Sequence, residues 1–203
     1  MGAPVGTGVT STVNLTAIND APSLNANGSS PTFTEDGSAV TLFGSANAIP
    51  GESGQTFTGL TLTVTNVSDT TERLGVDGST INLTHGASGT TTTNSMGYSV
   101  SITGGTATVT LTNGAGISVA AIETLVTGLT YSNTSQAPNT ASTRVVTLTA
   151  IQDNGGTANG GVDTGTPGGS PAMATVTVVA VNDAPTMTGS PADVTVTEDQ
   201  TSN

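Results

Sequence analysis

Leu60, Leu62 and Val64 alternate with Thr61, Thr63 and Thr65. That is the period of a strand with one buried face. Tyr98, Val100 and Ile102 repeat the pattern, and Gly104-Gly105 turns the chain back into Ala107, Val109 and Leu111. Two alternating runs joined by such a pair predict a β-hairpin. Arg144–Ile151 predicts a further strand, with Val146, Leu148 and Ala150 on one face. Ser23–Thr34 reads as a first strand interrupted at Asn27-Gly28, Ala39–Phe43 as a short apolar strand, and Ala174–Val181 as a closing strand. Val76–Leu83 contains Asp77-Gly78, a tight-turn signal. Ser118–Leu129 is the one helical stretch: Val119, Ile122, Leu125 and Leu129 fall near helical spacing, Ser118 can cap the start and Gly128 the end. Asn47–Gly54, Asp69–Arg73, Ala87–Ser95 and Asp153–Gly169 read as loops and turns. Eight to ten strands with turns between them predict an all-β antiparallel sandwich.

The chain repeats itself. VNLTAINDAP at Val13–Pro22 returns as VTVVAVNDAP at Val176–Pro185, an offset of 163 residues, and FTEDGS at Phe33–Ser38 returns as VTEDQT at Val196–Thr201. A fixed period signals a tandem array. Residues 1–22 are then the tail of a preceding repeat, with a last strand at Val13–Ile18 and a short join. Residues 23–181 form one complete repeat, and 182–203 the next join and first strand. No signal-peptide core follows Met1-Gly2, so the chain is expected to start inside a longer one.

Charge narrows the function. The net charge is −12, and the only cationic side chains are Arg73 and Arg144. Nucleic-acid binding needs a basic footprint, which is absent, and docking on anionic lipid is disfavoured. No apolar run is long enough to insert in a membrane. There is no cysteine, which excludes disulfides, thiol catalysis and thiolate metal sites and fits a secreted bacterial product. Fourteen carboxylates with so few cations repel one another unless a hard divalent cation or a salty medium neutralises them.

The carboxylates stand at strand ends and turns: Asn19-Asp20, Glu35-Asp36, Asp69 with Glu72, Asp153-Asn154 and Asn182-Asp183. Calcium is held by six to eight oxygens from such groups and from backbone carbonyls. Each Asn or Asp can also satisfy its own turn, so the weight lies on the set. Asp77, Glu123 and Asp193 are expected to be solvated or capping.

AINDAP and AVNDAP, each followed by a TED turn, resemble the inter-domain linker and first-strand glutamate of cadherin-like repeats. TAIQDNGG at Thr149–Gly156 resembles the cadherin AxDxG loop, and DTTER at Asp69–Arg73 loosely resembles its mid-domain acidic turn. With LTLTV, ERLGVDG and GLTYSNTSQAP, the pattern is similar to the cadherin-like tandem repeats of giant bacterial RTX-type surface adhesins, over nearly the whole period. The resemblance implies a Greek-key, cadherin/Ig-like β-sandwich and a calcium-stiffened extender repeat, monomeric, extracellular and bound to the bacterial surface. It would serve cell adhesion and biofilm attachment. Its partners would be the neighbouring repeats, with a host or abiotic surface or a glycan met through other domains. Glu35 would sit at the C-terminal pole with Glu72, Asp69 and the join Asn182-Asp183, and Asp153 at the N-terminal pole facing Asn19-Asp20. Two departures, the lack of a DxD pair and Ala17 and Ala180 where an acidic residue is usual, imply one or two ions per join. Glu198-Asp199 match Glu35-Asp36 but would be idle.

The alternative is a glycan- or surface-binding module of the same adhesin. An enzyme is not expected. His85 is the only histidine and has no partnered base nearby, and Tyr98 and Tyr131 read as core or corner residues rather than sugar platforms.

Overall fold

The alternating runs become strands wherever their apolar residues can reach one interior. The computed structural model describes residues 1–2, 8–168 and 172–184. The VTEDQT text, with Glu198-Asp199, and Asp193 lie outside the described residues. The first strand is split as expected, into β1 (Ser23–Gly28) and β2 (Thr32–Thr34). There follow β3 (Val40–Thr41), β4 (Phe43–Ile49), β5 (Phe57–Thr65), β6 (Glu72–Val76), β7 (Ser79–Asn82), β8 (Ser88–Thr90), β9 (Gly97–Thr103) and β10 (Thr106–Ile117). Then come α1 (Val119–Thr127), β11 (Thr130–Asn133), β12 (Arg144–Asp153), β13 (Thr164–Gly165) and β14 (Met173–Val179).

The larger sheet runs β2-β14-β12-β5-β10-β9-β8, with β13 beside β12. A second sheet runs β3-β11-β6-β7, and β1 pairs with β4 in a two-stranded sheet, with an isolated bridge from Asn25 to Gly168. One apolar cluster is shared by all three: Leu62 and Val64 from β5, Leu74 from β6, Ile81 from β7 and Leu24 from β1 are fully buried. Burying each such side chain contributes about 1.5–3 kcal/mol. Phe33 of β2 meets Tyr131 of β11 edge-on, with centroids 5.7 Å apart and planes at 86°. The architecture is all-β and sandwich-like, with one α-helix among the described residues.

Both two-residue hairpins have the backbone their residues predict. Asp77 and Gly78 stand at φ 50° and 78°, and Gly104 and Gly105 at 56° and 75°. Positive φ at both central residues is the type I′ turn, whose twist matches that of the strands. The Ser118 side chain accepts from the Ala121 N–H and caps α1, while Gly128 donates back to Thr124 O. Ile122, Leu125 and Val126 are its buried face.

Several features differ from the sequence expectation, among them the short strands β8 and β13 inside segments read as loops. Val13–Ile18 forms no strand; it pairs with no strand among the described residues, and Val13 and Leu15 are exposed. Residues 47–49 belong to β4, because they pair with Asn25–Ser23. Glu72 and Arg73 open β6 rather than ending a turn, because they pair with Asn133 and Ser132. Not every pair is antiparallel: β2 and β14 run parallel, Thr32 beside Thr177 and Thr34 beside Val179. Asp77 is buried, not solvated, and accepts from Thr91 Oγ1, Asn94 N and Asn94 Nδ2.

Strand β12 carries a bulge. Leu148 faces Leu62, but Ala150 faces Thr61, so the register slips between them. Before the slip Arg144, Val146 and Leu148 are buried; after it Ile151 and Asp153 are. A bulge re-aims the side chains beyond it. This one turns Asp153, rather than Gln152, into the interior.

Candidate functional site

The strand directions set two poles. Strands β5 and β14 run from the end that holds Asn19 toward the end that holds Glu35, and β12 runs back. The predicted residues divide between these ends.

At the N-terminal pole, Asn19 docks on Asp153. The Asn19 amide donates to Asp153 Oδ1 at 3.1 Å and to the Val162 carbonyl at 2.7 Å. Its own Oδ1 accepts from Gln55 Nε2 at 2.6 Å, and its carbonyl accepts from the Val162 N–H. Asp20 is exposed, but its N–H donates to Glu52 Oε1 at 2.8 Å. Asp153 also accepts from Gly51 N and Gly155 N. Asn154 is exposed and accepts from Thr56 N, tying the loop to β5. The seat depends on absent side chains. A Cβ on Gly155 would collide with Asn19 Oδ1, and one on Gly51 with the Asp20 carbonyl. DNGG contains Gly155, but neither sequence signal, NDAP or DNGG, revealed Gln55, Glu52 or Gly51 as members of this pole.

The C-terminal pole contains a closed electrostatic network. Glu72 and Arg144 are both fully buried. Arg144 Nη2 donates to Glu72 Oε1 at 2.9 Å and Nε to Oε2 at 3.0 Å, a bidentate pair. Glu72 Oε1 also accepts from Ser68 N and Asp69 N, and Oε2 from the Tyr131 hydroxyl at 3.0 Å. Five donors meet a carboxylate that offers about four lone-pair sites. Both Glu72 oxygens are thus engaged within the protein, and the counter-ion is a guanidinium.

Asp69 is drawn into the same network. It accepts from Asn133 Nδ2 at 2.7 Å and Asn139 N at 2.9 Å, and stands 3.7 Å from Arg144. Burial, with the Glu72 charge beside it, pushes the Tyr131 hydroxyl well above the usual tyrosine range. Burial works against the charge on Arg144, but the hydrogen bond to Glu72 and its charge outweigh that and hold Arg144 above its ordinary value. In the sequence Arg144 reads only as the first residue of a strand. The signal was there: it is one of two cations in a chain of net charge −12.

Glu35 has the opposite character. It is buried, its Oε2 accepts from Val181 N at 2.8 Å, and its Oε1 has no hydrogen-bond partner among the described residues. A buried carboxylate oxygen without donor or cation is costly. Asp36, Asn182 and Asp183 are exposed. Asp36 accepts from Gln136 Nε2, and Asn182 donates to the Asp183 carbonyl.

The fit to calcium is therefore uneven. Both Glu72 oxygens are already engaged by donors, and Asp69 and Asp153 each accept from two or more N–H groups. Glu35 can offer one buried oxygen, and Asp20, Asp36, Glu52 and Asp183 exposed or half-exposed ones. Among the described residues no three His, Cys, Asp or Glu side chains gather about one point. His85 is exposed, with Nδ1 accepting from Ile102 N. No protein-family model, curated protein or solved structure matches the chain.

Proposed function

We propose that this chain carries one structural extender repeat of a long bacterial surface adhesin, a Greek-key, cadherin-like sandwich stiffened by calcium at its joins. It is a non-enzymatic spacer that projects a binding domain for adhesion and biofilm attachment. The observation that carries the metal reading is Glu35. Its unpartnered, buried Oε1 stands beside the join at Val181, in a chain with twelve more negative than positive charges. A divalent cation satisfies both demands. At one join Glu35 and Asp36 would serve it from behind, the next repeat's counterparts of Glu52 and Asp153 from ahead, and Asp183, the counterpart of Asp20, from the join itself.

The test is a thermal melt in excess EDTA and across a calcium titration, with magnesium as control. A ligand bound only by the folded state adds about 2.7 kcal/mol per site at a hundredfold excess over Kd. For a domain of this size that is a rise of about 5–11 °C per site. An unchanged melting temperature removes calcium from the reading.

A second reading, a glycan-binding module of the same adhesin, is favoured by one feature. An open trough of about 400 Å³ lies on the larger sheet between Ser88, Thr90, Gly97, Tyr98, Thr110 and Thr112. It is uncharged and rimmed with hydroxyls. Saturable binding of an oligosaccharide, lost in Tyr98→Ala, would favour it over the spacer.

A further inference from the structure

The two joins display different halves of one contact set. At the first, the chain is seated on the domain ahead of it. Asn19 donates to Asp153 and to Val162 O, and Asp20 N donates to Glu52. At the second, the chain is held by the domain behind it: Val181 N donates to Glu35 Oε2, and Glu35 N to Val179 O. The 163-residue offset places Ile18 on Val181, Asn19 on Asn182 and Asp20 on Asp183. Applying each half to the same join gives Val181 a backward partner, and Asn182 and Asp183 forward ones.

We propose that consecutive repeats abut here with no free linker residue, each join being a clamp whose partner is a second copy of this repeat. The inference rests on the tandem-repeat reading. Adjacent residues are claimed by opposite domains: Val181 by Glu35 behind, and Asn182 by the next copy's equivalent of Asp153 ahead. Their N atoms are at most about 3.6 Å apart along an extended chain. Surface chemistry at both ends agrees. Ile49 and Val162 are exposed around the Asn19 seat, Val179 is exposed at the other pole, and Ile18 and Val181, the same join position in the two copies, are exposed as well. Abutment buries apolar side chains that each end leaves in water. The glycine seat adds specificity, since the next repeat must present its own Gly51 and Gly155 equivalents to accept Asn182.

The clamp sets spacing and orientation through protein hydrogen bonds, whereas calcium, on the reading above, neutralises the carboxylates gathered there. The two are separable by experiment. The protein is a tandem in which Ala184 is followed by Pro22 of a second copy, reproducing the natural text. The chain has no cysteine, so one introduced thiol per repeat carries a spin label cleanly. Distance distributions across the join are recorded in EDTA and in calcium. The clamp predicts a narrow distribution in EDTA with the same mean in calcium. Asn182→Ala should broaden it at least twofold, as should four inserted Gly/Ser residues after Val181. The proposal is overturned if the parent in EDTA is as broad as the insertion variant, or if Asn182→Ala leaves the width unchanged. A join that is broad in EDTA and narrow only in calcium sinks the clamp and keeps the metal. A narrow join with no calcium-dependent melting shift keeps the clamp and sinks the metal.

Discussion

Replacing Arg144 by Met separates an internal counter-ion from a displaced metal site. Arg144 and Glu72 are both fully buried and joined by two hydrogen bonds. Met fills much of the arginine stem's volume but leaves Glu72 charged, with only Tyr131 and two backbone N–H groups. Removing one partner of a buried pair costs about 3–5 kcal/mol. That is a large share of a typical total of about 5–15 kcal/mol. At about 2–4 °C per kcal/mol for a chain of this length, the melting temperature should fall by about 6–20 °C. Glu72→Gln in the same background removes the stranded charge. The amide oxygen introduced there can still accept from Ser68 N and Asp69 N, so the double variant should recover part of the loss. The assay is a set of denaturant and thermal melts of the four proteins, in EDTA and in calcium. The counter-ion role is refuted if Arg144→Met melts within about 1 kcal/mol of the parent, or if Glu72→Gln worsens it further. Calcium that restores the single variant would reveal Glu72 as a metal ligand after all.

Two further outcomes come from the same geometry. Gly155→Ala drives a Cβ into Asn19 Oδ1, which is already held by Gln55. It should cost about 1–3 kcal/mol by overpacking. Hydrogen exchange at Val162 N, which bonds Asn19 O, should accelerate; unchanged protection would show that the loop simply yields. Tyr131 is shifted upward in the folded state, so above pH about 10, the unfolded value, the unfolded chain loses that proton first. Stability from this group is complete below pH about 10 and declines as pH rises beyond it. Melts from about pH 9 to about pH 12 should fall more steeply for the parent than for Tyr131→Phe, and equal slopes would contradict the assignment.

Much of the fold was legible because its signals are local. The β5 alternation, the Asp77-Gly78 and Gly104-Gly105 turns and the Ser118 cap each depend on residues within a few positions, and each stands as read. The site was legible in part. NDAP and DNGG marked Asn19 and Asp153, which do meet. What escaped is long-range. Arg144 and Glu72 lie 72 residues apart, and nothing near Glu72 names its partner. The β12 bulge escaped because a one-residue slip leaves an alternating sequence looking regular, yet it decides which of Gln152 and Asp153 turns inward. Asp77 looked like an ordinary turn aspartate, since its partners Thr91 and Asn94 come from the next loop over.

The parallel pairing of β2 with β14 bears on how the domain carries load. The chain enters at the pole where β1 begins and leaves at the pole where β14 ends, so traction on the two joins pulls these neighbouring strands in opposite senses along their length. The bonds from Thr175 N to Ser29 O, Thr177 N to Pro31 O and Glu35 N to Val179 O cross that line of force. They are loaded in shear and must fail together, whereas a hairpin such as β9–β10 opens one rung at a time. Resistance to pulling is set by the unfolding rate rather than by equilibrium stability. A short patch of three residue pairs thus lies in shear between the strands leading to the two joins.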